Sequence, residues 1–242
     1  MTGSVDRDEV ARFAALAHEW WNPKGPYAPL HAFTPVRVEY VRDRLAERFD
    51  RDTNSLKSLK GLSVLDVGCG GGILAEPLAR LGAEVTGVEP ATESIEAAKL
   101  HAAEAGLDIA YRAAAAEDLL AEGRTFDAVI ASEVIEHVTD PASFVATLAG
   151  LAKPGGLVLI STLNRTLRSF GLAILGAEYV LRWIPAGTHD WKKFVTPDEL
   201  KDHCNAAGLD VTDVTGAIYD PLRARWRLGR DSAVNYWLTA EK

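Results

Sequence analysis

The residues best suited to chemistry form a short run near the middle of the chain. Glu133, Glu136 and His137 make an E-x-x-E-H pattern just after the apolar segment FDAVIA (126–131). On a helical turn, positions i, i+3 and i+4 share a face, so the three side chains can converge. Two carboxylates suit a hard cation such as Mg²⁺, whereas an imidazole with an ordinary pKa of about 6.5 suits proton removal at neutral pH. The pattern alone leaves both interpretations open.

A glycine-rich turn lies upstream, where VLDV (64–67) leads into GCGGG (68–72). Glycine has no Cβ, so the main chain at Gly68 and Gly70 can approach a ligand closely. Glu89 ends the next predicted strand about 20 residues further on, where a carboxylate can accept hydrogen bonds from ribose hydroxyls. Ile73 stands where the dinucleotide fingerprint requires a third glycine. The spacing therefore predicts a ribose-containing ligand and disfavours an NAD-dependent oxidoreductase.

The elements that must position these residues alternate between strands and helices. Buried strands are predicted over residues 63–67, 84–89, 108–112, 126–131 and 157–162, and two closing strands over 209–216 and 232–240. Such alternation predicts an α/β fold with a doubly wound, mostly parallel sheet. Ligands of these sheets bind outside the carboxyl ends of the strands, which is where the glycine turn and the E-x-x-E-H run fall.

The regions flanking this core differ from it in pattern. Two helices predicted over 6–21 and 35–49, the second with Pro35 in its first turn, make residues 1–60 an N-terminal helical cap. Residues 61–242 form the main domain, in which about 163–193 interrupt the alternation as an insertion. Thr196 and Glu199 are spaced as a capping box that opens a further helix.

Composition narrows the class of protein. The 242 residues are 48% hydrophobic and 25% charged, which is typical of a globular chain and excludes disordered and collagen-like sequences. A net charge of -8 disfavours a nucleic-acid partner. Two cysteines cannot build a disulfide framework, the N-terminus has no apolar signal region, and no stretch is long and apolar enough to span a bilayer. We therefore expect a cytoplasmic enzyme.

Four segments resemble the class I methyltransferases that use S-adenosylmethionine: VLDVGCGGG, GVE, FDAVIASEVIEHV and LAKPGGLVLIST. The resemblance implies a Rossmann-like fold with a seven-stranded sheet, helices on both faces and an antiparallel last strand. It also implies S-adenosylmethionine as the cofactor, with Glu117 and Asp118 near the adenine and Ser132 near the methionine end. The cofactor residues implied within the core are Asp66, Gly68, Gly70, Glu89, Glu117, Asp118 and Ser132.

Other segments resemble one family more closely, the O-methyltransferases of ubiquinone biosynthesis. They include WWNPKGPYAPLHAFTPVRVEY, GAEYVLRWIPAGTHDWKKF and VNYWL. This resemblance implies methylation of phenolic hydroxyls on polyprenylated benzenediol and demethylubiquinol intermediates. It makes Arg37 a cofactor contact, and Glu133, Glu136 and His137 catalytic residues and Mg²⁺ ligands. The alternatives are proton removal by His137 without metal, a C-methyltransferase or other small-molecule methyltransferase of this fold, and a non-catalytic scaffold.

Basic and apolar residues are concentrated in two places on this acidic chain. The insertion contains FGLAILGAEYVLRWI (170–184), in which Glu178 and Arg182 can pair at i and i+4. PLRARWRLGR (221–230) adds four arginines and no acid. We expect residues 165–184 to contact anionic lipid at the inner face of the cytoplasmic membrane; a helix that covers the active site or a dimer contact is the alternative. The expected partners are a polyprenylated quinol and other ubiquinone-biosynthesis proteins.

Overall fold

The computed structural model describes residues 4–171 and 190–242, whose strands form one sheet in the order β3-β2-β1-β4-β5-β8-β6-β7. The strands are β1 Ser63–Val67, β2 Glu84–Glu89, β3 Ala110–Ala113, β4 Phe126–Ser132, β5 Ala152–Leu163, β6 Asp210–Asp220, β7 Arg225–Gly229 and β8 Asn235–Glu241. The first five pair in parallel, and β8 runs antiparallel between β5 and β6. This arrangement confirms the predicted doubly wound, mostly parallel sheet with an antiparallel last strand.

The expected count of seven strands was wrong by one. The additional strand, β7, pairs antiparallel with β6 as a hairpin at the edge of the sheet. Its sequence alternates, with Arg225 and Arg227 exposed while Trp226 and Leu228 are half-buried against the core. That period of two is the pattern of a strand with one covered face. The sequence prediction described this segment only as basic, because it contains four arginines.

Helices cover both faces of the sheet, as predicted. They are α1 Arg7–Ala15, α2 Ala28–Arg48, α3 Ala75–Arg80, α4 Thr92–Glu104, α5 Ala116–Ala121, α6 Pro141–Leu151, α7 Leu167–Ser169 and α8 Pro197–Ala206. Short 3-10 turns occupy Ala17–Glu19, Ile135–His137 and Trp191–Lys193. One apolar cluster joins the sheet to α2, α3 and α4, and a second joins it to α5, α6 and α8. Each face of the sheet therefore has its own apolar layer, and the sheet lies between the two layers.

The N-terminal helices differ from their predicted bounds. The first ends at Ala15 rather than at residue 21. The second begins at Ala28 and contains Pro35 in its interior, not in its first turn. An interior proline costs about 3 kcal/mol because it removes a hydrogen bond and crowds the preceding turn. Burial of Phe33 and Val41 against the sheet offsets that cost, and such tertiary packing is invisible in the local pattern.

The insertion is described only at its two ends, 163–171 and 190–193. The predicted Glu178–Arg182 pair and most of the predicted lipid segment therefore lie outside the described residues. The capping box beyond the insertion is confirmed, since the Glu199 carboxylate accepts the Thr196 N–H at 2.9 Å. Within the described ranges, the helices are all too short or too polar to cross a bilayer.

Candidate active site

A cavity of about 970 Å³ opens at the carboxyl ends of β1, β2 and β4. Ligand pockets commonly measure about 300–1,000 Å³, so it has room for a cofactor. The predicted site residues that line it are Arg37, Asp66, Gly68, Glu89, Glu117, Ser132, Glu133, Glu136 and His137. Two predicted residues, Gly70 and Asp118, do not line it.

The glycine turn holds its shape through backbone that side chains would obstruct. Gly68 has φ 67°, and a Cβ there would lie 2.6 Å from a methyl carbon of Val134. Gly70 has φ 51°, and its Cβ would lie 2.4 Å from the indole ring of Trp20. Trp20 thus covers the turn at Gly70, which explains why Gly70 does not line the cavity.

Trp20 itself is held by two contacts. Its indole Nε1 donates to the Ser94 hydroxyl at 3.0 Å, and its ring stacks on Tyr27 at a centroid distance of 3.8 Å. Both aromatic residues line the cavity. Sequence reasoning missed them, although they belong to the WWNPKGPY segment that carried the resemblance, because nothing local indicates that the cap folds over the glycine turn.

Arg37 is 5% exposed, so it is not the solvated helix residue that its sequence context alone would favour. One guanidinium nitrogen donates to the Thr34 hydroxyl at 2.7 Å, and another reaches the Ser132 hydroxyl at 3.5 Å. Its Nε has no partner within the described residues. Buried cations are normally paired, so this guanidinium faces the cavity with capacity to bind an anionic group.

Asp66 and Glu89 are two buried carboxyl groups that line the same cavity. The Oδ2 of Asp66 is buried and has no partner in the described ranges, and burial raises the pKa of Asp66 to about 7. Glu89 accepts the Ala91 N–H at 3.0 Å. Burial raises the pKa of Glu89, while hydrogen bonds from the backbone of Ala91 and Gly70 oppose the rise. Both carboxyl groups line the cavity, where they can accept hydrogen bonds from a ligand.

Glu117 and Asp118 separate, although they are neighbours in sequence. Glu117 lines the cavity and accepts both the N–H and the hydroxyl of Ser4, at 2.9 and 2.6 Å. Asp118 is exposed and caps α5 by accepting the Ala115 N–H at 2.9 Å. The prediction that Asp118 contacts the cofactor is therefore not supported, because adjacent residues at a helix start point in different directions.

The E-x-x-E-H run does not form the expected α-helical turn. Glu133 has φ 58°, in the left-handed region, and only Ile135–His137 form a 3-10 turn. One Glu133 oxygen accepts the Ser161 hydroxyl at 2.8 Å, and one Glu136 oxygen accepts the Thr162 hydroxyl at 2.8 Å. Burial and the charge of Glu136 raise the pKa of Glu133 to about 8. Glu133 therefore holds a proton more readily than an exposed glutamate does, beside the charge of Glu136 at the end of β4.

His137 turns toward the N-terminal helix instead. Its Nδ1 lies 3.2 Å from a carboxylate oxygen of Glu9. Burial lowers the pKa of His137, but the hydrogen bond to Glu9 and the charge of Glu136 outweigh it and raise the pKa. In the part of the chain that the structure describes, no group of three or more His, Cys, Asp and Glu side chains is placed to hold a metal ion. The predicted ligand trio is therefore not assembled.

Comparison with known proteins shows the family. Residues 37–214 match the family model described as a methyltransferase domain. The chain is 54% identical over 239 residues to the ubiquinone biosynthesis O-methyltransferase of Methylobacterium nodulans, covering 99% of this chain and 96% of that protein. It is 51% identical over 240 residues to that of Caulobacter sp., covering 99% and 95%. The chain belongs to the ubiquinone biosynthesis O-methyltransferase family.

Solved structures confirm the fold class of the family member. Magnesium protoporphyrin IX methyltransferase from Synechocystis PCC 6803 superposes with a TM-score of 0.64 at 20% identity, over 96% of this chain and 94% of that one. A SAM-dependent methyltransferase from Aquifex aeolicus gives 0.58 at 17%, over 98% of both. At such identities the likeness concerns the class I methyltransferase fold alone.

Three further residues of this family member hold the E-x-x-E-H run, and sequence reasoning missed them. They are Ser161 and Thr162 at the end of β5, and Asn235 at the start of β8, whose amide nitrogen lies 3.4 Å from Glu133 Oε2. LAKPGGLVLIST and VNYWL contain these residues and are among the segments that carry the resemblances, but the role of the residues depends on which strands lie side by side.

Proposed function

We propose that this protein transfers the methyl group of S-adenosylmethionine to phenolic hydroxyls of polyprenylated benzenediol and demethylubiquinol intermediates in ubiquinone biosynthesis. One observation carries the proposal. A single cavity joins Arg37 and Asp66, whose Nε and Oδ2 atoms have no partner within the described residues, to Glu133, Glu136 and His137. A charged donor and a group that loses a proton therefore fit in one continuous space, as methyl transfer to a hydroxyl requires. The names of the relatives supply the acceptor class.

The charges of the donor match the cofactor end of the cavity. S-adenosylmethionine carries a carboxylate, an ammonium group and a ribose. The Arg37 guanidinium suits the carboxylate, since arginine binds such groups through parallel hydrogen bonds. Asp66 suits the ammonium group, and Glu89 suits the ribose hydroxyls. The first two assignments would give partners to Arg37 Nε and Asp66 Oδ2, which lack them within the described residues.

The acceptor end must remove a proton and exclude water. In the reaction, a phenolate oxygen attacks the methyl carbon, the carbon–sulfur bond breaks, and the sulfonium becomes a neutral thioether. Glu133, Glu136 and His137 all line this end of the cavity, and the phenol proton leaves to one of them. Trp20 and residues of the N-terminal helix line the same cavity. Alignment and desolvation each supply several kcal/mol in reactions of this kind.

Mg²⁺ stays a prediction for this site. Glu133 and Glu136 are the residues that would hold it, and Glu136 Oε1 is buried without a partner in the described ranges. When bound, the cation would act as a Lewis acid that lowers the pKa of the phenol. His137 does not join them in this arrangement, because it pairs with Glu9.

The location and partners complete the proposal. A polyprenyl acceptor resides in the bilayer, so we place the protein in the cytoplasm, in peripheral contact with the inner face of the membrane. Leu167, at the described end of the 165–184 segment, is 84% exposed beside Arg168. Association with other proteins of the pathway also stays a prediction, and the net charge of -8 disfavours nucleic acid.

The test uses the purified full chain with S-adenosylmethionine and a short-chain demethylubiquinol analogue. We expect stoichiometric S-adenosylhomocysteine and a product with a new methoxy signal in NMR. A new carbon-bound methyl group would instead indicate the C-methyltransferase alternative. Absence of turnover, despite measurable cofactor binding, would contradict the proposal and favour a scaffold.

A further inference from the structure

The β6–β7 hairpin ends in an exposed apolar tip of defined shape. Leu222 is 96% exposed. The N–H groups of Leu222 and Arg223 both point to the Asp220 carboxylate, at 3.0 and 3.3 Å, and Ala224 adopts φ 48°. These hydrogen bonds hold the backbone of the turn, and the Leu222 side chain lies in solvent beside it. Burial of this side chain against an apolar phase would be favourable.

Cationic side chains surround this tip. Arg225, Arg227 and Arg230 are exposed and make no ion pair within the described residues, whereas Arg223 lies 3.8 Å from Asp220. Edge strands often carry charge that prevents pairing with other sheets. That reason accounts for arginines on β7 but not for the apolar tip. An apolar point within a basic surface is complementary to an anionic bilayer.

The opposite face of the same hairpin lines the cavity. Tyr219 and Trp226, which are register partners in the hairpin, belong to its wall together with the predicted catalytic residues, whereas Ile218 is the register partner of Arg227. The Trp226 ring lies 4.6 Å from the ring of Phe33 and 5.4 Å from that of Tyr219, as measured between centroids. This aromatic wall is suited to an extended hydrocarbon chain. It runs along the element whose tip is exposed.

We propose that the β6–β7 hairpin docks on an anionic bilayer and that its inner wall, formed by Tyr219 and Trp226, carries the prenyl tail from the lipid to the predicted catalytic residues. The inference rests on the proposed function for the nature of the acceptor. The arginines and Leu222 of the hairpin would contact the bilayer, and the aromatic rings on its other face would contact the prenyl tail in the cavity. β7, the strand that the sequence did not predict, supplies Arg225, Arg227 and Trp226 of this surface.

The test compares a triple variant of the hairpin with a double control variant. Binding is measured by sedimentation with vesicles of phosphatidylcholine, with and without phosphatidylglycerol. The hairpin variant is Leu222→Asp with Arg225→Gln and Arg227→Gln. The control is Leu56→Asp with Arg51→Gln, because Leu56 is 87% exposed in the linker and neither residue lines the cavity. About 1 kcal/mol per basic residue corresponds to roughly five-fold per arginine. We expect anionic-vesicle binding to weaken at least about 25-fold in the hairpin variant and less than about two-fold in the control.

Activity measurements separate this proposal from the proposed function. We expect the hairpin variant to lose turnover of a long-tailed acceptor in vesicles but to keep the parent kcat/KM for a short-chain soluble acceptor, which also shows that it folds. Trp226→Leu should raise KM for the long-tailed acceptor more than for the short one. Vesicle binding equal to that of the parent overturns the docking surface, as does a parent dimer that the hairpin variant disrupts. Failure of the parent on the short acceptor contradicts the proposed function alone.

Discussion

The two ends of the cavity are built in different ways. At the cofactor end, backbone sets the geometry: the N–H groups of Gly68 and Cys69 both donate to the Val88 carbonyl, at 2.8 and 3.1 Å. At the acceptor end, side chains from distant segments set it: Glu9 reaches His137, and Thr162 reaches Glu136. A strand–turn–helix motif therefore specifies the glycine turn of the first end locally, whereas the second end exists only once the sheet and the cap have formed.

Glu136→Gln should give the largest effect and should fall on the acceptor end alone. The change removes charge from the carboxyl pair and leaves the shape intact. We expect kcat to fall by about 10²–10⁴, the range typical of lost proton-transfer catalysis. The dissociation constant for S-adenosylhomocysteine, measured by calorimetry, should stay within about two-fold. A parallel loss of cofactor affinity would show that the two ends are not independent.

Chelation tests the metal prediction at the same end. We expect EDTA to remove most activity of the parent, with recovery on adding Mg²⁺, since a Lewis acid lowers the pKa of a bound phenol. The Glu136→Gln variant should respond little to either addition. Full activity of the parent after exhaustive chelation and dialysis would discard a role for metal.

Arg37→Met should affect the cofactor end most. The guanidinium is buried, and removing one partner of a buried charged hydrogen bond costs about 2–5 kcal/mol. We expect S-adenosylmethionine affinity to fall by at least about thirty-fold in titration calorimetry. Arg51→Met, at an exposed position in the linker, is the control and should bind as the parent does. Unchanged affinity in Arg37→Met would remove Arg37 from the cofactor site.

The pH dependence of cofactor binding should report on Asp66. Burial raises the pKa of Asp66 to about 7, so the free protein loses the charged form as pH falls through that value. Since the ammonium group of the cofactor requires the carboxylate, affinity should weaken by about ten-fold from pH 8 to pH 6. Asp66→Asn should bind weakly at both values. Equal pH profiles for the parent and Asp66→Asn would assign the dependence to another group.

Asp118→Ala should have the smallest effect on cofactor affinity, and this should distinguish Asp118 from its neighbour Glu117. Asp118 caps α5 and lies outside the cavity. We expect the free energy of unfolding, from urea titration, to fall by about 0.5–2 kcal/mol, with cofactor affinity within about two-fold of the parent. Glu117→Ala should instead weaken cofactor binding. A strong loss of affinity in Asp118→Ala would restore the original prediction for that residue.

Sequence reasoning succeeded where the signal is local. The strand predicted at 63–67 and the capping box of Thr196 and Glu199 are both confirmed. It failed where neighbours in space decide. Pro35 lies inside a helix because the buried face of that helix packs on the sheet. Glu133 leaves the expected helical turn with φ 58°, and its N–H donates to the Ser161 carbonyl on the adjacent strand.

Strand periodicity, glycine spacing and long matching segments are properties of consecutive residues, so the α/β class, the cofactor turn and the family could be predicted from them. That Trp20 covers the turn, that Glu9 holds His137 and that β7 adds an eighth strand beside the cavity follows from the folded arrangement of the chain. These contacts join residues far apart in the chain. Their energies depend on which apolar faces are buried together, and no local pattern states that choice.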